Sequence, residues 1–270
     1  MEANRIDRTF GALAKSGKRA FMPFITAGDP DLETTAEAFA ALDRAGADIV
    51  ELGIPFSDPV ADGPVIQASY TRALGAGLHV DDIFAATREI RRSFTKPIVY
   101  MVSFSIVYRR GLESFAAGAA EAGADGLIVP DLPVEESGAL ADAARKNGLH
   151  MIYLIAPTTT EARRREILRR ASGFLYYMAV SGVTGERQSV AAELAGGVAS
   201  VKAETRVPVC VGFGVSRPEQ ALEIARYADG VIVGSALVKV LAAAGLKGKA
   251  AALAELERAA GELARATKSV

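Results

Sequence analysis

Two carboxylates in one short stretch, Glu51-Leu-Gly-Ile-Pro-Phe-Ser-Asp-Pro-Val-Ala-Asp62-Gly-Pro, are the residues best suited to acid–base work. Glu51 ends an otherwise apolar run, Asp48-Ile-Val-Glu51-Leu-Gly, where an ionisable group is costly unless it is paired or used. Asp62 follows on a loop rich in proline and glycine, whose stiff backbone could fix its position. Carboxylates in unlike environments can divide general acid and general base roles. Apolar neighbours raise a carboxyl pKa by desolvation, which suits Glu51 to give and take a proton near neutral pH. Plainer uses remain open at this point: Glu51 as half of a salt bridge at a rim, and Asp62 as the cap of a helix opening at Gly63-Pro64.

Three glycine-containing turns form a second constellation: Ser181-Gly-Val-Thr-Gly185, Val211-Gly-Phe-Gly214 and Val233-Gly234-Ser235. A helix beginning at Ser235 would offer free backbone N–H groups and the positive end of its dipole to an anion. None of the three turns contains Lys or Arg, so a bound phosphate would rest on neutral amides and the Ser235 hydroxyl. The segment 181–189 combines small hinge residues with a polar tip, the composition of a lid or of a solvated loop. His79 and His150 are too scattered for a His-plus-carboxylate metal site, and no lysine ends an apolar run. Both metal-dependent and Schiff-base aldol chemistry are therefore disfavoured, and no cofactor is expected in this chain.

The elements that must position these groups are short apolar runs at 21–25, 48–53, 98–102, 126–130, 151–155, 174–178, 207–211 and 231–233, separated by stretches of helical period. Eight βα units in 270 residues predict an α/β fold, a single (β/α)8 barrel over residues 1–270. The two carboxylates and the three turns then all fall at strand ends on one face. Ile6, Phe10 and Leu13 behind a possible Asn4 cap predict an extra N-terminal helix over the lower opening. A further short helix is expected after the eighth strand. The interval 54–97 is long enough for helices near 63–75 and 80–93. In the echoes Ala-Gly-Ala-Asp48, Ala-Gly-Ala-Asp125 and Ala228-Asp229-Gly, Gly46 and Gly123 suit C-caps and the aspartates suit structural roles at strand entries.

With Lys+Arg 31 against Asp+Glu 32 the net charge is −1, which argues against a nucleic-acid partner. No run approaches a membrane span, and Met1-Glu-Ala-Asn-Arg-Ile-Asp-Arg has no signal-like h-region, so a cytoplasmic protein without membrane contact is expected. Cys210 sits in Val207-Pro-Val-Cys210-Val and reads as a small buried hydrophobe.

The strings Phe24-Ile-Thr-Ala-Gly-Asp-Pro30, Glu51 through Gln67, Pro130-Asp-Leu-Pro-Val-Glu-Glu136, Ser181 through Gly185, Gly212-Phe-Gly214 and Gly234-Ser235 together resemble the tryptophan synthase α subunit family, in order and over nearly the whole chain. The resemblance implies a lyase that cleaves indole-3-glycerol phosphate to indole and glyceraldehyde 3-phosphate by a retro-aldol reaction. It gives Glu51 the acid–base role at indole C3 and the side-chain hydroxyl, and Asp62 the indole N–H. It assigns the phosphate to Gly185, Phe213, Gly214, Gly234 and Ser235. Phe24, Leu127 and Tyr176 would line the indole pocket, and Thr184 would approach Asp62 when the lid closes. A β subunit carrying pyridoxal phosphate, in an α2β2 assembly, is the implied partner. Two departures stand out: Ser103-Phe104-Ser105-Ile106 where the family often reads Tyr-Asn-Pro, and Ala179 where serine is common. The rival readings are a phosphosugar isomerase or epimerase on the same barrel, and a non-catalytic binding subunit.

Overall fold

The computed structural model describes residues 4–59, 62–178, 187–212 and 214–270. Its strands are β1 Ala20–Thr26, β2 Val50–Gly53, β3 Ile98–Met101, β4 Gly126–Ile128, β5 His150–Ile155, β6 Leu175–Met178, β7 Val209–Gly212 and β8 Gly230–Val233. All neighbours pair in parallel and in chain order, and β8 closes on β1. The strands are apolar on both faces because both faces are covered. Met22, Ile49, Val99, Ile128, Ile152, Tyr176, Cys210 and Ile232 fill the barrel interior. Their alternates, among them Phe21, Val50, Leu52, Tyr100, Leu127 and Val211, pack outward under the helices. Cys210 is fully buried, and burial holds its thiol well above the usual range.

The three echoed aspartates do one job at the bottom of the barrel. Each stands at the entry to an even-numbered strand and accepts an N–H from the start of the strand before it: Asp48 from Phe21 at 2.9 Å, Asp125 from Ile98 at 2.9 Å and Asp229 from Val209 at 3.0 Å. Each is balanced by a cation, Lys268 for Asp48, Arg5 and Arg91 for Asp125, and Lys202 for Asp229. Gly46 and Gly123, with φ of 91° and 99°, turn the chain from helix end into strand as a left-handed residue must.

The N-terminal helix Arg5–Ser16 covers the lower opening, with Ile6 inside the barrel cluster. Asn4 caps it by accepting from the Ile6 N–H at 2.8 Å. The Asn4 amide also donates to the carbonyls of Asp125 at 2.9 Å and Gly148 at 2.8 Å, so one side chain starts the helix and docks it. Between β2 and β3 lie the helices Pro64–Gly75 and Val80–Ile90, and β8 is followed directly by the helix Ser235–Ala242.

Candidate active site

β2 delivers Glu51 to the upper barrel interior. Ile49 points inward and Val50 and Leu52 outward, so strand alternation turns Glu51 toward the axis, beside Phe24 of β1 and Val99 of β3. The residue is 0% exposed, and neither carboxylate oxygen has a hydrogen-bond partner among the described residues. Among the described residues Glu51 is thus not half of a rim salt bridge. With nothing to offset its charge, burial pushes its pKa from 4.5 to about 8. The side chain is accordingly a neutral acid at pH 7, able to donate a proton and then exist briefly as a base.

Asp62 lies just ahead of the helix Pro64–Gly75. The N-cap of that helix is Gly63, with Pro64 in its first turn and no side-chain cap bond, so capping does not explain Asp62. Its backbone is held instead: its N–H donates to the Pro59 carbonyl at 3.1 Å, and its own carbonyl accepts from the Gln67 amide at 2.8 Å. Burial first, and the charge of Asp131 second, push its carboxyl up to about 6. At pH 7 Glu51 is therefore protonated and Asp62 ionised, the division of roles that two-carboxylate catalysis needs.

Tyr176 lies near both. Its phenol is held well above its ordinary pKa by burial, then by Glu51 and Asp62. It belongs to the interior packing and also lines the cleft. Gly212 at the end of β7 makes room for it, since a Cβ there would stand 2.3 Å from the Tyr176 hydroxyl oxygen. The cleft, about 540 Å³, is walled by Met101, Ile152, Leu154, Tyr176 and Met178 among other apolar residues, with Asp62, Asp131 and Arg163 as its charged members. Phe24 is buried with Ile66, Tyr70 and Val238, and its ring runs between two glycines. A Cβ at Gly53 would meet its Cζ at 2.4 Å, and a Cβ at Gly234 would lie 3.6 Å from its own Cβ. Phe24 thus spans from beside Glu51 to the turn after β8.

At that turn Gly234 is the N-cap of the helix Ser235–Ala242, without a side-chain cap. The Gly234 carbonyl accepts from Leu237 at 2.9 Å and Val238 at 3.1 Å, which leaves the amides of Ser235 and Ala236 without helical acceptors. Gly214, with φ of 79°, sits exposed just beyond β7. These neutral donors suit an anion, and they stand at adjacent strand ends as their spacing predicts.

One expected pocket residue is misplaced. Leu127 pairs with Tyr100 and Met151 in the outer layer, where it is fully buried under helices; its neighbour Ile128 faces the interior. Leu127 is a packing residue, and the inward position of β4 is Ile128. Gly185, Phe213, Thr184 and Ala179 lie outside the described residues.

Residues 10–268 match the family model described as tryptophan synthase alpha chain. This chain is a member of the tryptophan synthase alpha chain family. The alpha chain of Synechococcus elongatus is 48% identical over 255 residues, covering 94% of this chain and 96% of that one. That of Geotalea daltonii is 49% identical over 235 residues, covering 87% and 89%. Among solved structures, the alpha subunit from Legionella pneumophila superposes with a TM-score of 0.91 at 39% identity, covering 98% of both chains. A Mycobacterium tuberculosis tryptophan synthase chain gives 0.88 at 38% identity, covering 100% of both.

In this member of the family the unusual segment after β3 has its own anchor. Ser103 donates to Asp131 at 2.6 Å, the Phe104 N–H donates to the other Asp131 oxygen at 2.8 Å, and Ser103 caps the helix Phe104–Arg110. Asp131, which sequence reasoning does not single out, therefore ties the β3 and β4 loops together and sets part of the field on Asp62. Its only sequence signal is its place between two prolines, Pro130-Asp131-Leu-Pro133.

Proposed function

We propose that Glu51 and Asp62 carry the retro-aldol cleavage of indole-3-glycerol phosphate to indole and glyceraldehyde 3-phosphate. The chain belongs to the tryptophan synthase alpha chains and is hence a carbon–carbon lyase of tryptophan biosynthesis. The observation that supports these two residues is a buried, protonated Glu51 with no hydrogen-bond partner among the described residues, lying close to Tyr176, which shares the wall of the cleft with ionised Asp62. Glu51 gives its proton to indole C3, and the positive charge that develops on the indole nitrogen is offset by the Asp62 carboxylate. The Glu51 carboxylate then takes the proton of the side-chain hydroxyl next to the ring as the C–C bond breaks. The electron pair of that bond restores the aromatic ring, and the hydroxyl carbon leaves as the aldehyde. The acid is thereby regenerated with no external proton consumed. Tyr176 and Phe24 flank the ring, and Gly214, Gly234, Ser235, Gly185 and Phe213 hold the phosphate.

The partner in this reading is a β subunit that carries pyridoxal phosphate, in an α2β2 assembly. The tip Pro55–Pro59 and the helix Phe104–Arg110 frame a cavity of about 680 Å³, and Tyr108 is 71% exposed beside it. A large exposed ring beside a half-apolar loop favours a protein partner over solvent. Ordering of the neighbouring Asp62 by the partner would then speed the chemical step. The purified chain is expected to release indole from indole-3-glycerol phosphate, and faster when a β subunit is added. No indole under either condition would refute the assignment, and equal rates would refute the coupling.

The phosphate assignment has a separate check. A Cβ at Gly234 meets only ordinary contact, so Gly234→Asp should fold as the parent does. It would place a carboxylate against a dianion, and binding of glycerol phosphate, measured calorimetrically, should weaken by about 10-fold or more. Unchanged affinity would move the phosphate elsewhere.

A further inference from the structure

Tyr70, on the helix Pro64–Gly75, is 4% exposed and packs with Phe24, Ile66 and Val238 around the end of β2. A Cβ added at Gly53 would stand 2.9 Å from its hydroxyl oxygen. Gly53 follows Glu51 by two strand positions and so shares its inward face. The missing side chain at Gly53 therefore lets the Tyr70 hydroxyl reach over the strand end that carries Glu51. Tyr70 also lines the smaller cavity walled by Asp62, Ile54 and Met101. The hydroxyl makes no hydrogen bond to another described residue, unlike the buried hydroxyls of Tyr100 and Tyr153, which are bonded to Thr87 at 2.7 Å and to Ser137 at 2.9 Å. A hydroxyl on a cavity wall with no partner among the described residues is open to a ligand. Burial, and then Asp62, keep it protonated, so it is a neutral donor on the wall of the cavity that Asp62 also lines.

From this placement, and resting on the reading of the site as an indole-3-glycerol phosphate lyase, we propose that Tyr70 is a specificity-determining residue whose hydroxyl bonds a hydroxyl of the substrate's glycerol chain. The indole ring is apolar apart from its N–H, and the phosphate belongs to the turns after β7 and β8. The chain hydroxyls between them are the polar groups left to recognise. A neutral donor that also accepts suits a hydroxyl better than a third carboxylate would, because it adds no charge beside Glu51 and Asp62. It would also select against analogues that lack the hydroxyl, since those would leave the phenol unpartnered in the complex.

The test compares Tyr70→Phe with the parent on two ligands. With indole-3-glycerol phosphate, kcat/KM should fall by about 10-fold, the usual scale for one lost hydrogen bond to a buried polar group. With indole-3-propanol phosphate, whose chain has no free hydroxyl, the dissociation constant should stay within about 2-fold or improve, because removing the phenol oxygen removes an unsatisfied group. Equal losses on both ligands would make Tyr70 a packing residue, and no loss on either would mean it does not touch the chain; both results overturn the proposal. The parent's own turnover in the same assay separates this outcome from failure of the lyase reading.

Discussion

In the Glu51→Gln variant, indole formation is expected to fall by about 10²-fold or more with the barrel intact, because the amide keeps the volume but neither gives nor takes a proton. The loss should be in kcat, with binding of glycerol phosphate unchanged. The same substitution carries a stability signature. In the folded chain the Glu51 carboxyl is held at about 8 against 4.5 for an unburied one, so the native state binds the proton more tightly than the unfolded state. Stability from this group is complete below about 4.5 and is lost as pH rises to about 8. The glutamine amide has no such dependence, so the variant should gain on the parent across that window, by about 3 kcal/mol or more at its upper end. Urea unfolding of both proteins at about pH 5 and about pH 8.5, on either side of most of that change, would show it. A variant that retains turnover within a few-fold of the parent, or that loses stability in parallel with it between the two pH values, would remove Glu51 from the role of buried acid.

Asp62→Asn should cost about 10²-fold in turnover as well, for a different reason: the amide fits the same space but offers no negative charge to the indole nitrogen as it becomes cationic. With Asp62 ionised only above about 6 and Glu51 protonated only below about 8, the parent's kcat/KM should be bell-shaped, with its maximum near neutrality. Replacing Asp62 should abolish the acidic limb and leave the alkaline limb in place. An acidic limb that survives the substitution would assign it to another group, and an unchanged rate would return Asp62 to a purely structural part.

The number and order of strands were legible in the chain because a parallel barrel needs runs that are apolar on both faces, and these stand out between helical stretches. The lower face was equally plain: Asp48, Asp125 and Asp229 follow helix-ending glycine or alanine and lead into strands, and all three cap the preceding strand. Glu51 announced itself because a charge in an apolar strand is anomalous wherever it points.

Leu127, which the resemblance placed in the pocket, shows where such carrying-over stops when the strand pattern cannot check it. In Gly126-Leu-Ile128 both faces are apolar, so composition has no phase, and only closure of the barrel decided that Ile128 faces in and Leu127 out. Whether Glu51 has a cation for company, or Asp62 a helix to cap, likewise depends on what the other strands and loops bring within reach. Among the described residues the fold brings no hydrogen-bonding partner to the first, and it gives the cap position to Gly63. Nothing in the sequence pattern singles out Tyr70. Its hydroxyl reaches the end of β2 only because the helix Pro64–Gly75 packs back against β1 and the helix Ser235–Ala242, and because Gly53 has no side chain there. The sequence determined the elements, the polar caps of the lower face and the identity of the two carboxylates, since each is a property of residue type and local spacing. Which face a symmetric strand turns inward, which buried charge goes unpaired and which distant hydroxyl reaches it were decided by tertiary structure, because all three depend on neighbours far away in the chain.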